Sequence, residues 1–262
     1  KEYRRQRQMC IRDRRYAFME DYLIETPGCV IKSVHSMHRM TICLLSDGTL
    51  WAKGYIDYIQ NVNGYGTADP NSFFEYFIKL NSMFGNKQVK TFSCSDGYGS
   101  WDKYTIGVVC TDGSAYIWGN NSWGQLGNNG KINSKSAILI DPPGTRTVAQ
   151  ISVGGWHEEA NTLIRCTDGT LWGAGCNDFG QLGFAPSNYI LTWTQCQDTT
   201  GYIDDCKEIL DVNTGITNTI LGITRFIRKT DDTIWGSGRN VGCQITSSCL
   251  LYTSDAADDT PC

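Results

Sequence analysis

The sequence predicts an all-β chain, a partial β-propeller of about four blades, because an internal repeat can be read at three landmarks. Asp168-Gly169-Thr170-Leu171-Trp172 through Phe179-Gly180-Gln181-Leu182-Gly183 aligns without gaps on Asp112-Gly113-Ser114-Ala115-Tyr116 through Trp123-Gly124-Gln125-Leu126-Gly127. Weaker copies open at Asp47-Gly48-Thr49-Leu50-Trp51 and Asp231-Asp232-Thr233-Ile234-Trp235, and in all four a glutamine follows the leading Asp at one fixed offset: Gln60, Gln125, Gln181 and Gln244. Upstream, apolar-alternating segments centred on Ser33, Ser93, Ser152 and Asp211 recur at nearly even spacing. A period this constant marks a repeat architecture.

Each unit reads as short strands separated by turn signals, with period-two apolar patterning and no amphipathic helix. In Cys43-Leu44-Leu45-Ser46-Asp47-Gly48-Thr49-Leu50-Trp51 the Asp-Gly pair is expected to supply the positive φ angles of a tight hairpin turn. The glycines of Gly-Gln-Leu-Gly are expected in turn conformations closed to side chains, with Leu126, Leu182 and Ile245 pointing between neighbouring units. One small sheet cannot bury both its faces, so the units must stack, and radial stacking gives a propeller.

These residues resemble the repeats of the regulator of chromosome condensation family, whose blades carry a Gly…His element, an Asp-Gly hairpin, an aromatic-Gly-Asn stretch and Gly-Gln-Leu-Gly. The resemblance covers nearly all of 30–246. It is strong at 89–147 and 148–205 and degraded at 30–88, where Asp57-Tyr58-Ile59 precedes Gln60, and at 206–248, where Cys243 and Thr246 replace both glycines. It implies an arc of a seven-bladed ring, with 15–29 a remnant of a preceding blade and the blade at 206–248 incomplete. His38 and His157 match the family's repeated histidine, which implies a scaffold role.

The two ends differ in kind from the rest. Arg4 to Arg14 and Cys249 to Asp259 resemble translations, from opposite strands, of one transposon-end adapter used in sequencing libraries. A DNA segment encoding Met9-Cys10-Ile11-Arg12, with the first base of the Asp13 codon, has a reverse complement that encodes Leu250-Leu251-Tyr252-Thr253. Segments 1–14 and 249–262 are therefore expected to be adapter-like additions, in preference to a basic arm and an acidic tail, and the chain to be a metagenomic fragment. Without them the net charge of −4 becomes −5 and nine of the 12 cysteines remain. An arc also leaves two apolar blade faces uncovered, so the 15–248 chain is expected to aggregate or oligomerise.

The acidic balance argues against nucleic acid as a partner, and no apolar run approaches the length of a membrane span. The retained cysteines contain no C-x-x-C pair, and Cys43, Cys110 and Cys166 sit on strands entering Asp-Gly turns, where a small buried hydrophobe fits. Sequence without geometry leaves a Cys196–Cys206 disulfide open. His35 and His38 would face opposite sides of a strand, which argues against a metal site. No nucleophile with an attendant base, phosphate loop or carboxylate pair stands out, so neither catalysis nor a cofactor is expected.

Loop length is more informative. The stretches from Ser33 to Asp47, Ser93 to Asp112, Ser152 to Asp168 and Asp211 to Asp231 all differ in length, while the stretch from each Asp to its Gln is constant. The variable connections are expected to form one rim that binds another protein, with the Gly-Gln-Leu-Gly loops on a separate side. The candidate rim residues are His38, Arg39, Tyr98, Trp101, Asp102, Trp156, His157, Glu158 and Glu159. The candidate structural residues are Asp47, Gly48, Asp112, Gly113, Gly124, Gln125, Gly127, Asp168, Gly169, Gly180, Gln181, Gly183 and Gln244. The leading expectation is a noncatalytic scaffold. Two alternatives stand beside it: a surface or virion adhesion module, with glycan as a possible ligand, and, from the resemblance, a guanine-nucleotide exchange factor for a small GTPase.

Overall fold

Alternating side chains and short turns fold the chain into four-stranded sheets laid side by side. The computed structural model describes residues 23, 26–37, 40–55, 73–95, 104–155, 160–199, 201–210, 224–238 and 250–253. The first blade contains β1 (Ile31–Ser36), β2 (Met40–Leu45), β3 (Leu50–Tyr55) and β4 (Phe73–Lys79), and a 3₁₀ turn at Asn81–Phe84 follows it. The second contains β5 (Val89–Cys94), β6 (Thr105–Cys110), β7 (Ala115–Gly119) and β8 (Ser134–Leu139); the third, β9 (Val148–Gly154), β10 (Asn161–Cys166), β11 (Leu171–Asn177) and β12 (Ser187–Gln195). A two-stranded ribbon, β13 (Gln197–Asp198) and β14 (Gly201–Tyr202), leads to the fourth sheet, β15 (Cys206–Leu210), β16 (Thr224–Lys229), β17 (Ile234–Gly238) and β18 (Leu250–Thr253). In the first three sheets the strands pair in chain order as antiparallel meanders. The fourth departs from this pattern, because β18 runs parallel to β17.

Period-two alternation is what builds the core between blades. On β2, Ile42 and Leu44 face the second blade and join Val108, Cys110 and Trp118, while Cys43 and Leu45 face the other way with Trp51. On β10, Ile164 packs toward the second blade with Val109, Ile117 and Trp172, and Leu163 packs toward the fourth with Ile209 and Ile227. The second and third sheets are thus sealed on two sides by their neighbours. The outward side of the first blade is only partly covered, by Leu23 and Cys29, and Val30, Ile31 and Val34 on and beside β1 remain about half exposed.

The second-to-third-strand turn repeats nearly atom for atom. Backbone N–H groups of Gly48, Gly113, Gly169 and Asp232 donate to the carbonyls of Leu45, Cys110, Cys166 and Lys229, three residues back, at 3.0–3.1 Å. The Asp at each turn is an acceptor for the residue two positions on: Asp168 Oδ1 takes the Thr170 N–H at 3.1 Å and its hydroxyl at 2.7 Å, and Asp47, Asp112 and Asp231 do the same. The Thr hydroxyl then accepts the indole N–H of Trp51, Trp172 or Trp235 in three of the blades. The sequence expectation of positive φ at both Asp and Gly is corrected: only the second residue adopts it, at +79° for Gly48, +85° for Gly113, +84° for Gly169 and +66° for Asp232. A side chain on Gly169 would also stand 2.4 Å from the Asp204 carbonyl, since the chain entering the next blade crosses the turn. The leading Asp is selected for its carboxylate, not for its backbone freedom.

Candidate interaction rim

Strand direction decides which loops share a rim. In an antiparallel meander the first-to-second and third-to-fourth connections leave the same ends of the strands. The second-to-third turns and the crossings between blades occupy the opposite ends. The variable connections and the Gly-Gln-Leu-Gly loops therefore stand on one rim, which corrects the expectation that they lie on separate sides. Direct contacts join them: the Asn120 N–H donates to the Tyr104 carbonyl at 2.8 Å, the Thr105 hydroxyl to the Asn120 carbonyl at 2.9 Å, and the Cys176 N–H to the Ala160 carbonyl at 3.0 Å. The third-to-fourth connections also change length, occupying 56–72, 120–133 and 178–186 in the first three sheets, so only the stretch from each Asp to its Gln is constant and loop length does not set the Gly-Gln-Leu-Gly loops apart from the variable connections.

The first-to-second connections occupy 37–39, 95–104, 155–160 and 211–223, so the last is several times longer than the first. The Asp-Gly-type turns occupy 46–49, 111–114, 167–170 and 230–233 and never change in length. The bases of the variable connections are stitched to the sheets: the Met37 N–H donates to the Met40 carbonyl at 2.8 Å, and the Thr105 N–H to Ser95 Oγ at 2.9 Å. The candidate residues His38, Arg39, Tyr98, Trp101, Asp102, Trp156, His157, Glu158 and Glu159 fall outside the described residues, as does Gln244. The other structural candidates are described, and their bonding explains their recurrence.

The Gly-Gln-Leu-Gly loop is an internal scaffold. Gln125 is fully buried; its Oε1 accepts the Trp123 N–H at 3.0 Å while its Nε2 donates to Asn120 Oδ1 at 2.9 Å. Gln181 repeats the first bond with the Phe179 N–H at 2.9 Å. Asn121 and Asn177 hold the N–H groups of Leu126 and Leu182, both at 2.9 Å, so each leucine is aimed into the core shared with the next blade. Gly124, Gly127, Gly180 and Gly183 all have positive φ, and a Cβ on Gly127 would enter the Trp193 ring of the third blade at 2.6 Å. The loop of one blade is thereby docked on the outer strand of the next, as the Asn128–Thr192 bridge also shows.

On the opposite rim the structure adds a feature that residue-by-residue reading missed. Lys87 and Arg146, each two residues before a first strand, pair with the turn carboxylates Asp112 (2.9 Å) and Asp168 (2.8 Å) and lie over the Tyr116 and Trp172 rings. The signal was available as a basic residue at one repeat position in two blades. In the fourth blade the polarity is exchanged: Asp204 occupies the equivalent position, and the buried Lys229 instead pairs with Asp198 at 2.5 Å and Asp205 at 3.2 Å and lies over Trp235.

The Ser114 hydroxyl, then the Lys87 ammonium, hold the Asp112 carboxyl down at about 2. Partial burial works to raise Asp168, but the Thr170 hydroxyl and N–H and the Arg146 guanidinium bring it below the usual range. In the unfolded chain an Asp titrates near 4, so between about 4 and about 2 the folded state binds fewer protons than the unfolded one. These turns accordingly stabilise the fold above about pH 4, and that contribution is withdrawn as pH falls toward 2. The melting temperature is expected to drop across this window, and the drop to shrink in Asp112→Asn, as read by circular dichroism at successive pH values.

The described cysteines form no disulfide, and Cys196 and Cys206 lie in the core between the third and fourth blades. Burial pushes the Cys206 thiol up to about 12 and that of Cys196 well above its ordinary value, leaving both protonated.

With this geometry in place, comparison with known proteins is specific. Residues 112–158 and 148–181 match models of the regulator of chromosome condensation (RCC1) repeat. The chain is 25% identical over 213 residues to the ultraviolet-B receptor UVR8 of Arabidopsis thaliana, covering 81% of this chain and 42% of the receptor. Among solved structures, human WBSCR16 superposes with a TM-score of 0.57 at 14% identity, over 79% of this chain and 47% of that one. Yeast RCC1 (Prp20), in a structure bound to Kap60, gives 0.51 at 16% identity, over 80% and 42%. The chain thus spans less than half the length of these relatives. Two overlapping repeat matches over meander blades, and the fold shared with these structures, lead to one assignment: residues 112–181 carry RCC1 repeats, within a chain folded as a partial β-propeller.

Proposed function

We propose that the chain is a noncatalytic protein-binding module that engages its partner through the rim carrying the first-to-second-strand connections. The observation that carries this reading is the contrast between those connections, which change length from blade to blade, and the turns of the opposite rim, which do not. A scaffold restricts length where strands must pair and permits it where loops meet a partner. The yeast relative in complex with Kap60 supports protein binding as a use of this architecture. The best anchors on this rim are Trp101, Trp156 and His157, since aromatic side chains dominate binding energy at protein interfaces.

Alanine at any one of these three positions is expected to weaken partner capture by about 1–3 kcal/mol, roughly 5- to 150-fold, with the melting temperature nearly unchanged. Quantitative affinity purification against the wild-type chain, with Lys207→Glu on the opposite rim as control, reads the effect. Equal capture by wild type and rim variants, or loss of capture in Lys207→Glu alone, would contradict the assignment.

A further inference from the structure

On the described part of the same rim, the Gly-Gln-Leu-Gly loop of the second blade and the outer strand of the third bring together four side chains, of which Lys131, Ile132 and Tyr189 are exposed and Trp123 is half-buried. Trp123 and Tyr189 stand with ring centroids 5.6 Å apart at a 42° tilt, and the Lys131 ammonium lies 2.9 Å from the centre of the Tyr189 ring. Beside them Ile132 is 83% exposed, and its carbonyl is held by Asn121 Nδ2 at 3.2 Å, which fixes the backbone that presents it. An isoleucine so exposed on a pinned loop contributes little to folding.

Charge identifies the occupant. On the opposite rim Lys87, Arg146, Lys207 and Lys229 each pair with a carboxylate of this chain. Lys131 and Lys135, at the rim end of β8, make no ion pair among the described residues. The segments that form the patch, 120–140 and 183–195, contain these two lysines and no Asp or Glu. In a chain of net charge −4 this is a local reversal of sign, centred on exposed aromatic and aliphatic surface. The ring contact also immobilises Lys131, so a carboxylate meeting it loses less side-chain entropy than it would against a free lysine.

We propose that Trp123, Lys131, Ile132 and Tyr189 form a docking site for an acidic peptide segment with an apolar residue, its carboxylates on Lys131 and Lys135 and its apolar side chain against Ile132 and Tyr189. This rests on the rim reading above and names the chemistry of one partner segment.

The test uses a fluorescein-labelled peptide of alternating Asp and Glu around one central Leu, titrated into the full chain by fluorescence anisotropy. Two comparison peptides carry Lys and Arg in place of the acids, or Ser in place of the Leu. The acidic Leu peptide is expected to bind, and to bind more weakly with added salt. Lys131→Glu is expected to weaken it at least about tenfold and Ile132→Ser about fivefold, while Lys207→Glu leaves it unchanged. All three positions are exposed, so unchanged melting temperatures confirm folded variants. Equal binding of the basic peptide, no binding of the acidic one, or no effect of Lys131→Glu and Ile132→Ser overturns the site. So does a dimer in analytical ultracentrifugation that Ile132→Ser dissociates, which would make the patch a self-interface. Failure here with capture through Trp101 and Trp156 intact removes the peptide site and leaves the rim assignment standing; loss of that capture dependence removes the rim assignment itself.

Discussion

Leu182→Ala is expected to destabilise the fold by about 2–5 kcal/mol, toward the upper end of that range, although residue 182 lies in a loop. Leu182 is 1% exposed and fills the core between the third and fourth blades with Leu163, Leu171, Cys196, Ile209 and Ile227. The cost of a truncated leucine depends on how far its surroundings can collapse into the space left behind. Here they are held from both sides. Asn177 fixes the Leu182 N–H, Gln181 fixes the turn before it, and the Ser237 hydroxyl of the fourth blade donates to the Gln181 carbonyl at 2.9 Å. A loop pinned in this way cannot follow the shortened side chain inward. Thermal and urea unfolding of the variant measure the loss; a change below about 1 kcal/mol would show that the loop is peripheral.

Arg225→Ala is expected to cost at least about 3 kcal/mol, concentrated at the same junction. The side chain is 2% exposed, on β16 of the fourth blade, and reaches back into the third. Its Nε donates to Asn161 Oδ1 at 2.8 Å, Nη1 to Ser152 Oγ at 3.0 Å, and Nη2 to the Asn161 carbonyl at 2.9 Å and its Oδ1 at 2.6 Å. Burying a guanidinium is expensive, which opposes the effect. The net worth of a hydrogen bond to a charged group, about 1.5–3 kcal/mol, already contains that expense, and at least two independent acceptors would be left buried without this donor. Stability therefore falls on balance. Hydrogen exchange should report faster opening of β10, β15 and β16 than of β5–β8; uniform protection would contradict the localisation.

What the sequence disclosed, and what it hid, follows from the range of the interactions. The Asp-Gly turns and the Gly-Gln-Leu-Gly loops were legible because their bonds close locally, as between Asp168 and Thr170 or Asn177 and Leu182. The inward aim of Leu126 and Leu182 followed from repeat register alone. The φ angle at the leading Asp was misread because a hydrogen-bonding carboxylate and a tolerance for positive φ favour the same residue. The exchanged charges around Lys229 and the reach of Arg225 to Asn161 stayed hidden, since their partners lie far away along the chain. The common rim was missed for another reason: it depends on counting strand reversals, which loop length alone does not report.

The most direct test of the central claim is hydrogen–deuterium exchange of the chain, free and with its captured partner bound. The account predicts added protection in peptides spanning 37–39, 95–104, 155–160 and 211–223, with the turns at 46–49, 111–114, 167–170 and 230–233 unchanged. Protection confined to those turns would place the partner on the opposite rim and contradict it.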